Sequence, residues 1–169
     1  MARCLIIACG CRGRALGREL VARGHAVRGT TRDPETCAAI EDAGAEAFVG
    51  DPDVVATLAA ALDRVTVACV LLGSAGGPPA ALTALHSTRL EMLLTRMIDT
   101  TVRGVVYEAA GLVSPELLEA GATLVRERCE DSRIPYVVLR ANPTEHDAWT
   151  VAAADAVQRA LDGESDGPR

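Results

Sequence analysis

The chain has no lysine: all 17 of its basic residues are arginine, so no lysine ammonium can carry its chemistry. It also has few aromatics, with Phe48, Tyr107, Tyr136 and Trp149 as the full set, and its net charge is -6. Nucleic-acid affinity comes from clustered cations, and single strands add aromatic stacking, so scattered arginines in an acidic chain argue against nucleic acid as a partner. Apolar runs stop well short of the roughly 18 residues that a membrane helix needs, and the start carries no cleavable signal pattern. No membrane partner is expected, and the expected location is cytoplasmic. There are six cysteines but no Cys-x-x-Cys pair. Most fall inside expected strands or helices, so they read as buried thiols and no metal site is predicted. Cys9 and Cys11 flank Gly10 and are the two that could meet a ligand.

What is present is a globular composition, 49% apolar and 24% charged over 169 residues, which fits one domain with a sizeable core. Residues 1–162 are assigned to that domain, and residues 163–169, rich in Gly, Ser and Asp, to a disordered tail.

Short β-branched runs near 3–8, 25–30, 46–49, 65–72, 104–108 and 136–140 alternate with helical patterns near 13–23, 34–43, 52–62, 79–100, 115–131 and 146–161. Six strands alternating with helices predict an α/β fold, a single doubly wound Rossmann domain. Its six-stranded parallel sheet should run in the order 3-2-1-4-5-6, because crossovers are short and right-handed, with helices on both faces. Asp33-Pro34, Asp51-Pro52 and Ser114-Pro115 each place a capping side chain before a proline at a helix start. Gly24 and Gly44 sit just past two helix ends. In the segment 79–100, Leu82, Leu85, Leu90, Leu93, Leu94, Met97 and Ile98 form one apolar stripe. A helix of that length can also offer a second face to another copy, which makes a homodimer a further expectation.

The stretch "LIIACGCRGRALGREL" reads as strand, tight turn and helix. Gly10 and Gly13 would stand at a helix N-terminus, where unpaired N–H groups and the helix dipole attract pyrophosphate, and Cys11, Arg12 and Arg14 lie in the same turn. Ala8 occupies the place where a dinucleotide fingerprint has its first glycine, so it has to turn the chain without one. About 20 residues on, where an acidic side chain would bind the ribose of NAD, the second strand ends in Thr30, Thr31 and Arg32. A guanidinium forks onto a 2'-phosphate and threonine hydroxyls add hydrogen bonds, so NADP(H) is expected in preference to NAD(H).

With "ACGCRGRALG", "GTTRD", "VGDPD", "LLGSA", "YEAAG" and "RANP" following successive strands, the chain resembles the atypical short-chain dehydrogenase/reductase superfamily, in particular the NmrA-like and NAD(P)H-binding proteins. The resemblance spans residues 3 to about 145. It implies that Asp51 lies near the adenine, that Gly73, Ser74 and Ala75 line the ribose and nicotinamide side, and that Asn142 and Pro143 lie near the nicotinamide. The family's usual catalytic pair is a tyrosine with a lysine four residues on, and a chain without lysine cannot form it.

Tyr107 and Glu108, at the end of the fifth strand on alternate faces, are then the candidate catalytic residues, with Ser74, His86 and His146 as further polar side chains. The expected function is a small NADP(H)-dependent oxidoreductase for a carbonyl- or quinone-type molecule. The alternative is a binding protein that senses NADP(H) without turnover. A third reading, a decayed cofactor site kept for assembly, rests on Ala8.

Overall fold

In a computed structural model that describes residues 1–167, six parallel strands form one sheet in the order β3-β2-β1-β4-β5-β6. The strands are β1 (Arg3–Ile7), β2 (Ala26–Thr31), β3 (Glu46–Val49), β4 (Val67–Val70), β5 (Gly104–Glu108) and β6 (Tyr136–Leu139). β1, β4 and β5 are buried almost throughout, as parallel strands covered on both faces must be. The helices are α1 (Cys11–Ala22), α2 (Cys37–Glu41), α3 (Pro79–Leu85), α4 (Thr88–Ile98), α5 (Pro115–Ser132) and α6 (His146–Leu161). One core layer joins Ile6, Leu16, Leu20, Ile40 and Trp149 under α1, α2 and α6. The other joins Leu5, Ile7, Leu58, Leu90, Leu94, Tyr107 and Val125 under α3, α4 and α5.

β1 pairs with β2 on one side and with β4 on the other, so the strand order reverses between β1 and β4. Loops leaving the carboxyl ends of these two strands diverge to opposite faces and leave a crevice between them. Two of the three capping signals operate as read: Asp33 accepts from the Glu35 N–H at 2.9 Å at a 3-10 turn, Pro34–Thr36, that leads into α2, and Ser114 accepts from the Leu117 N–H at 3.4 Å at the start of α5. Asp51 accepts from the Asp53 N–H at 2.9 Å in a loop where no helix begins.

Three stretches differ from their sequence reading. Residues 52–62 form two short 3-10 turns, Val55–Leu58 and Ala60–Leu62, in place of one helix. A buried Arg28 in β2 donates to the Ala61 carbonyl at 2.7 Å and the Asp63 carbonyl at 3.2 Å, which fixes the end of this segment. The long helix expected over 79–100 is split into α3 and α4. His86 turns inward to meet the Tyr107 hydroxyl at 2.7 Å, and Ser87 leaves helical geometry at φ −133 and ψ −95. The stripe still faces the core from Leu85 to Met97, but Ile98 is exposed. Finally, part of the tail is ordered: the Asp166 N–H donates to the Tyr136 carbonyl, and the Ser165 hydroxyl and Asp166 carboxylate accept from the Tyr136 and Val138 N–H groups. These contacts cover the free edge of β6 with polar partners. The rest of the tail expectation, residues 168–169, lies outside the described residues.

Candidate functional site

Ala8 begins the site. It turns the chain at φ 62, in the left-handed region that glycine usually occupies. The turn is held by the Thr30 hydroxyl, which accepts from the Ala8 N–H at 3.1 Å, by the Thr30 carbonyl, which accepts from the Cys9 N–H at 2.8 Å, and by the Ala8 carbonyl, which accepts from the Gly10 N–H at 2.8 Å. Alanine therefore makes the first corner of the fingerprint in the conformation that the glycine would take.

Gly10 caps α1 at an ordinary φ of −76, and a Cβ placed on it would meet nothing within 4 Å. Neither the backbone nor the packing requires glycine there. What the missing side chain leaves is bare backbone at a helix N-terminus, open to close approach by a ligand. Gly13 has a different reason, since its Cβ would press on Ile6 at 3.2 Å and on the Cys9 sulfur at 3.3 Å, where α1 packs on β1.

A cleft of about 430 Å³ opens over this turn, within the size range of small-ligand sites. Its floor and walls include Gly10, Cys11, Arg12, Gly13 and Arg14 from the glycine turn, Thr31 and Arg32 from the end of β2, and Ser74 and Ala75 from the loop after β4. The structure thus brings together nine of the thirteen residues expected to hold a cofactor. Arg14 and Arg32 form no ion pair or side-chain hydrogen bond among the described residues, and no acidic neighbour is bonded to either guanidinium. The Thr31 hydroxyl shapes the bend before them, donating to the Asp33 carbonyl at 3.2 Å and accepting from the Asp33 N–H at 3.1 Å.

The other four expected residues stand behind or beside the cleft. Gly50, Pro52 and Asp53 line it in place of Asp51, whose carboxylate accepts from the Asp53 N–H. Gly73 is pinned between loops: its carbonyl accepts from the Val113 N–H at 3.0 Å, and a Cβ would fall 2.1 Å from the Ala110 carbonyl oxygen. Asn142 folds back on its own chain, accepting from the Thr144 N–H and hydroxyl, and neither it nor Pro143 lines the cleft. His146, at the start of α6, does line it.

Neither candidate catalytic side chain opens onto the cleft. Alternation along β5 sends Tyr107 into the α3–α5 layer, where its hydroxyl sits 2.7 Å from His86 Nδ1 and against Gly121, whose Cβ would fall 2.0 Å away. Burial raises the Tyr107 hydroxyl above its ordinary pKa and lowers that of His86, so both stay neutral.

Glu108 points to the opposite face and is 0% exposed. One carboxylate oxygen accepts from Arg12 Nη2 at 2.8 Å and the other from the Gly73 N–H at 2.9 Å. Arg12 also donates to the Ser74 hydroxyl at 3.3 Å, and its guanidinium carbon lies 5.3 Å from the centre of the buried Trp149 ring. Burial pushes the Glu108 carboxyl above its usual range, against the opposing pull of Arg12, the Gly73 N–H and the nearby Trp149 indole. That indole lies by the carboxyl without a hydrogen bond of good geometry, since its N–H has no partner.

The cysteines of the turn differ sharply. Cys9 is buried, and its thiol is pushed up to about 11 by loss of solvent, with Arg14 opposing; Cys11 is exposed on the cleft. A thiol at about 11 stays protonated at neutral pH and is a poor nucleophile.

Comparison with known proteins bears on the family and the fold. A family model described as NAD(P)H-binding matches residues 8–154. No curated protein matches the chain. Among solved structures, the triphenylmethane reductase of Citrobacter sp. superposes with a TM-score of 0.63 at 19% identity, over 82% of this chain and 48% of that one. Its complex with NADP(H) gives 0.61 at 19% identity, over 81% of this chain and 48% of that one. An anaerobillin reductase from Escherichia coli O157:H7 gives 0.59 at 16% identity, over 82% of this chain and 71% of that one. The chain therefore spans about half the length of triphenylmethane reductase, and at these identities the likeness is one of fold.

Proposed function

The chain belongs to the NAD(P)H-binding family, and on that premise we propose that it binds NADP(H) in preference to NAD(H) and works as a small reductase on a carbonyl- or quinone-type molecule. The observation that carries the proposal is the pair of guanidinium groups, Arg14 and Arg32, unpaired among the described residues, on a cleft that the bare Gly10 backbone also lines. An anion with two separated phosphate groups matches that layout. In this reading Gly10 and Arg14 hold the pyrophosphate, and Arg32 with Thr31 holds the 2'-phosphate. Gly50, Pro52 and Asp53 flank the adenine end. Ser74, Ala75 and His146 border the substrate end. When bound, the cofactor supplies the hydride, and the protein orients it. In this reading the imidazole of His146, on the cleft wall, is the group that delivers a proton.

A second reading, an NADP(H) sensor without turnover, is favoured by one observation: the polar ends of Tyr107 and Glu108 are spent on His86, Arg12 and Gly73. Titration separates the readings. NADPH should change Trp149 fluorescence, because Arg12 links that ring to the cleft, and should raise the melting temperature more than NADH does. Silence toward both nucleotides overturns both readings. If NADPH binds, its oxidation in the presence of quinones or aldehydes identifies the reductase, and binding without oxidation identifies the sensor.

A further inference from the structure

The Arg12–Glu108 pair joins segments that lie far apart in the chain. Through its two oxygens Glu108 holds the glycine turn, by Arg12, and the loop after β4, by the Gly73 N–H. Arg12 extends the connection to Ser74, whose hydroxyl also accepts from the Leu112 N–H at 3.4 Å in the loop after β5. The Gly73 carbonyl ties to Val113 of that same loop. Under the guanidinium lies Trp149 of α6. The segments that follow β1, β4 and β5, together with helix α6, are thus tied together around a single carboxylate with no solvent exposure.

The direction in which Arg12 is held matters as much as the number of segments. Arg12 stands in the turn where phosphate would bind, yet its fork is drawn back to β5, and its Nε is buried without a partner. Arg14 and Arg32 remain unbonded on the same cleft. A guanidinium locked on a buried carboxylate contributes little net charge to an anion, while it fixes the backbone that carries it.

Building on the NADP(H) reading, we propose that Glu108 is a positioning residue for the dinucleotide: it withdraws Arg12 from the phosphates and uses it as a brace that presets the glycine turn and the loop after β4. The phosphates are left to Gly10, Arg14 and Arg32. Glu108 and Arg12 then act as one unit, and loss of either loosens the same turn.

The test is a double-mutant cycle with Arg12→Met, Glu108→Gln and the double variant, with NADPH affinity measured well below each melting temperature and folding checked by circular dichroism. Each single substitution should weaken NADPH about tenfold, and the double variant should be no weaker than the singles, because the second change removes a partner already lost. Arg12→Lys, which keeps the charge but lacks the planar fork, should recover only part of the loss. A merely structural pair would lower the melting temperature and leave affinity unchanged, which overturns the proposal. So does a Glu108→Gln variant that binds NADPH more tightly than wild type, since Arg12 would then be a phosphate ligand restrained by the carboxylate. Losses that multiply also overturn it. Trp149 emission of the ligand-free variants decides the brace without any nucleotide: it should shift alike in the two singles and no further in the double. If wild type fails to bind NADPH, the cofactor reading fails, while the ligand-free comparison still supports or overturns the brace.

Discussion

The two ends of the cleft use the same residue type in opposite ways. At the outer end, Arg14 and Arg32 are left without partners around a bare glycine backbone. At the inner end, Arg12 is held by a buried carboxylate, a serine hydroxyl and an indole face. An unpaired guanidinium keeps its affinity for an incoming anion, while a paired one has already exchanged that affinity for rigidity. The outer end is built to receive charge and the inner end to hold its own backbone still.

The largest effect should come from breaking the inner end. Glu108→Ala strands the Arg12 guanidinium and the buried Gly73 N–H together, and removing one partner of a buried pair costs about 3 kcal/mol. Chemical denaturation should show that loss as a lower midpoint with an unchanged slope. A pH series sharpens the point. Burial raises the folded-state pKa of Glu108 above its unfolded value, so the native state holds that proton more tightly. Stability from this group is therefore fully present below the ordinary carboxylate range and is lost as pH rises through the folded pKa. Arg12→Met removes an opposing positive charge and raises the folded pKa further, so its stability should fall over a wider pH span than that of wild type. An identical pH profile in the two proteins would break the assigned coupling.

Breaking the outer end should leave stability alone and change binding. Arg32→Ala should weaken NADPH by about 2 kcal/mol, the scale of a charge-assisted hydrogen bond to phosphate, and NADH by far less. Equal losses for both nucleotides, measured by titration, would remove the 2'-phosphate from Arg32. Tyr107→Phe gives the control from the opposite face of β5. It deprives buried His86 Nδ1 of its hydroxyl partner and should cost about 1.5 kcal/mol of stability, with NADPH affinity unchanged. A specific loss of NADPH oxidation in that variant, with stability intact, would return Tyr107 to the chemistry.

The sequence made the outer end legible because its signals are local. Glycines after a strand, an arginine after the next strand and Asp-Pro caps are set by backbone geometry within a few residues. The inner end depends on which face each side chain takes and on what lies across the sheet. Glu108 meets Arg12 across 96 positions of chain, and a strand ending "VVYE" offers two polar residues without saying which one finds a partner. A hint was available: a carboxylate at the end of a strand expected to be buried on both faces needs a cation, and a chain without lysine offers arginine for that role. The split of the helix over 79–100 was hidden in the same way, because His86 leaves the helix for a hydroxyl 21 positions away.

Ala8 offers the finest test, since it touches the turn that both ends share. A non-glycine residue at φ 62 carries roughly 1–2 kcal/mol of steric cost, and glycine removes that cost while adding about 0.5–1 kcal/mol of chain entropy to the unfolded state. Ala8→Gly should therefore stabilise the protein by about 0.5–1 kcal/mol in denaturant titration. Its effect on NADPH is more informative than its effect on stability. The Thr30 hydroxyl, the Thr30 carbonyl and the Gly10 N–H already fix the corner, and Glu108 fixes the far side of the turn through Arg12. A turn pinned at both sides should bind NADPH equally well with alanine or glycine at its corner. A marked gain in affinity for Ala8→Gly would mean that the alanine distorts the phosphate cradle, and that the brace at the inner end does not reach it.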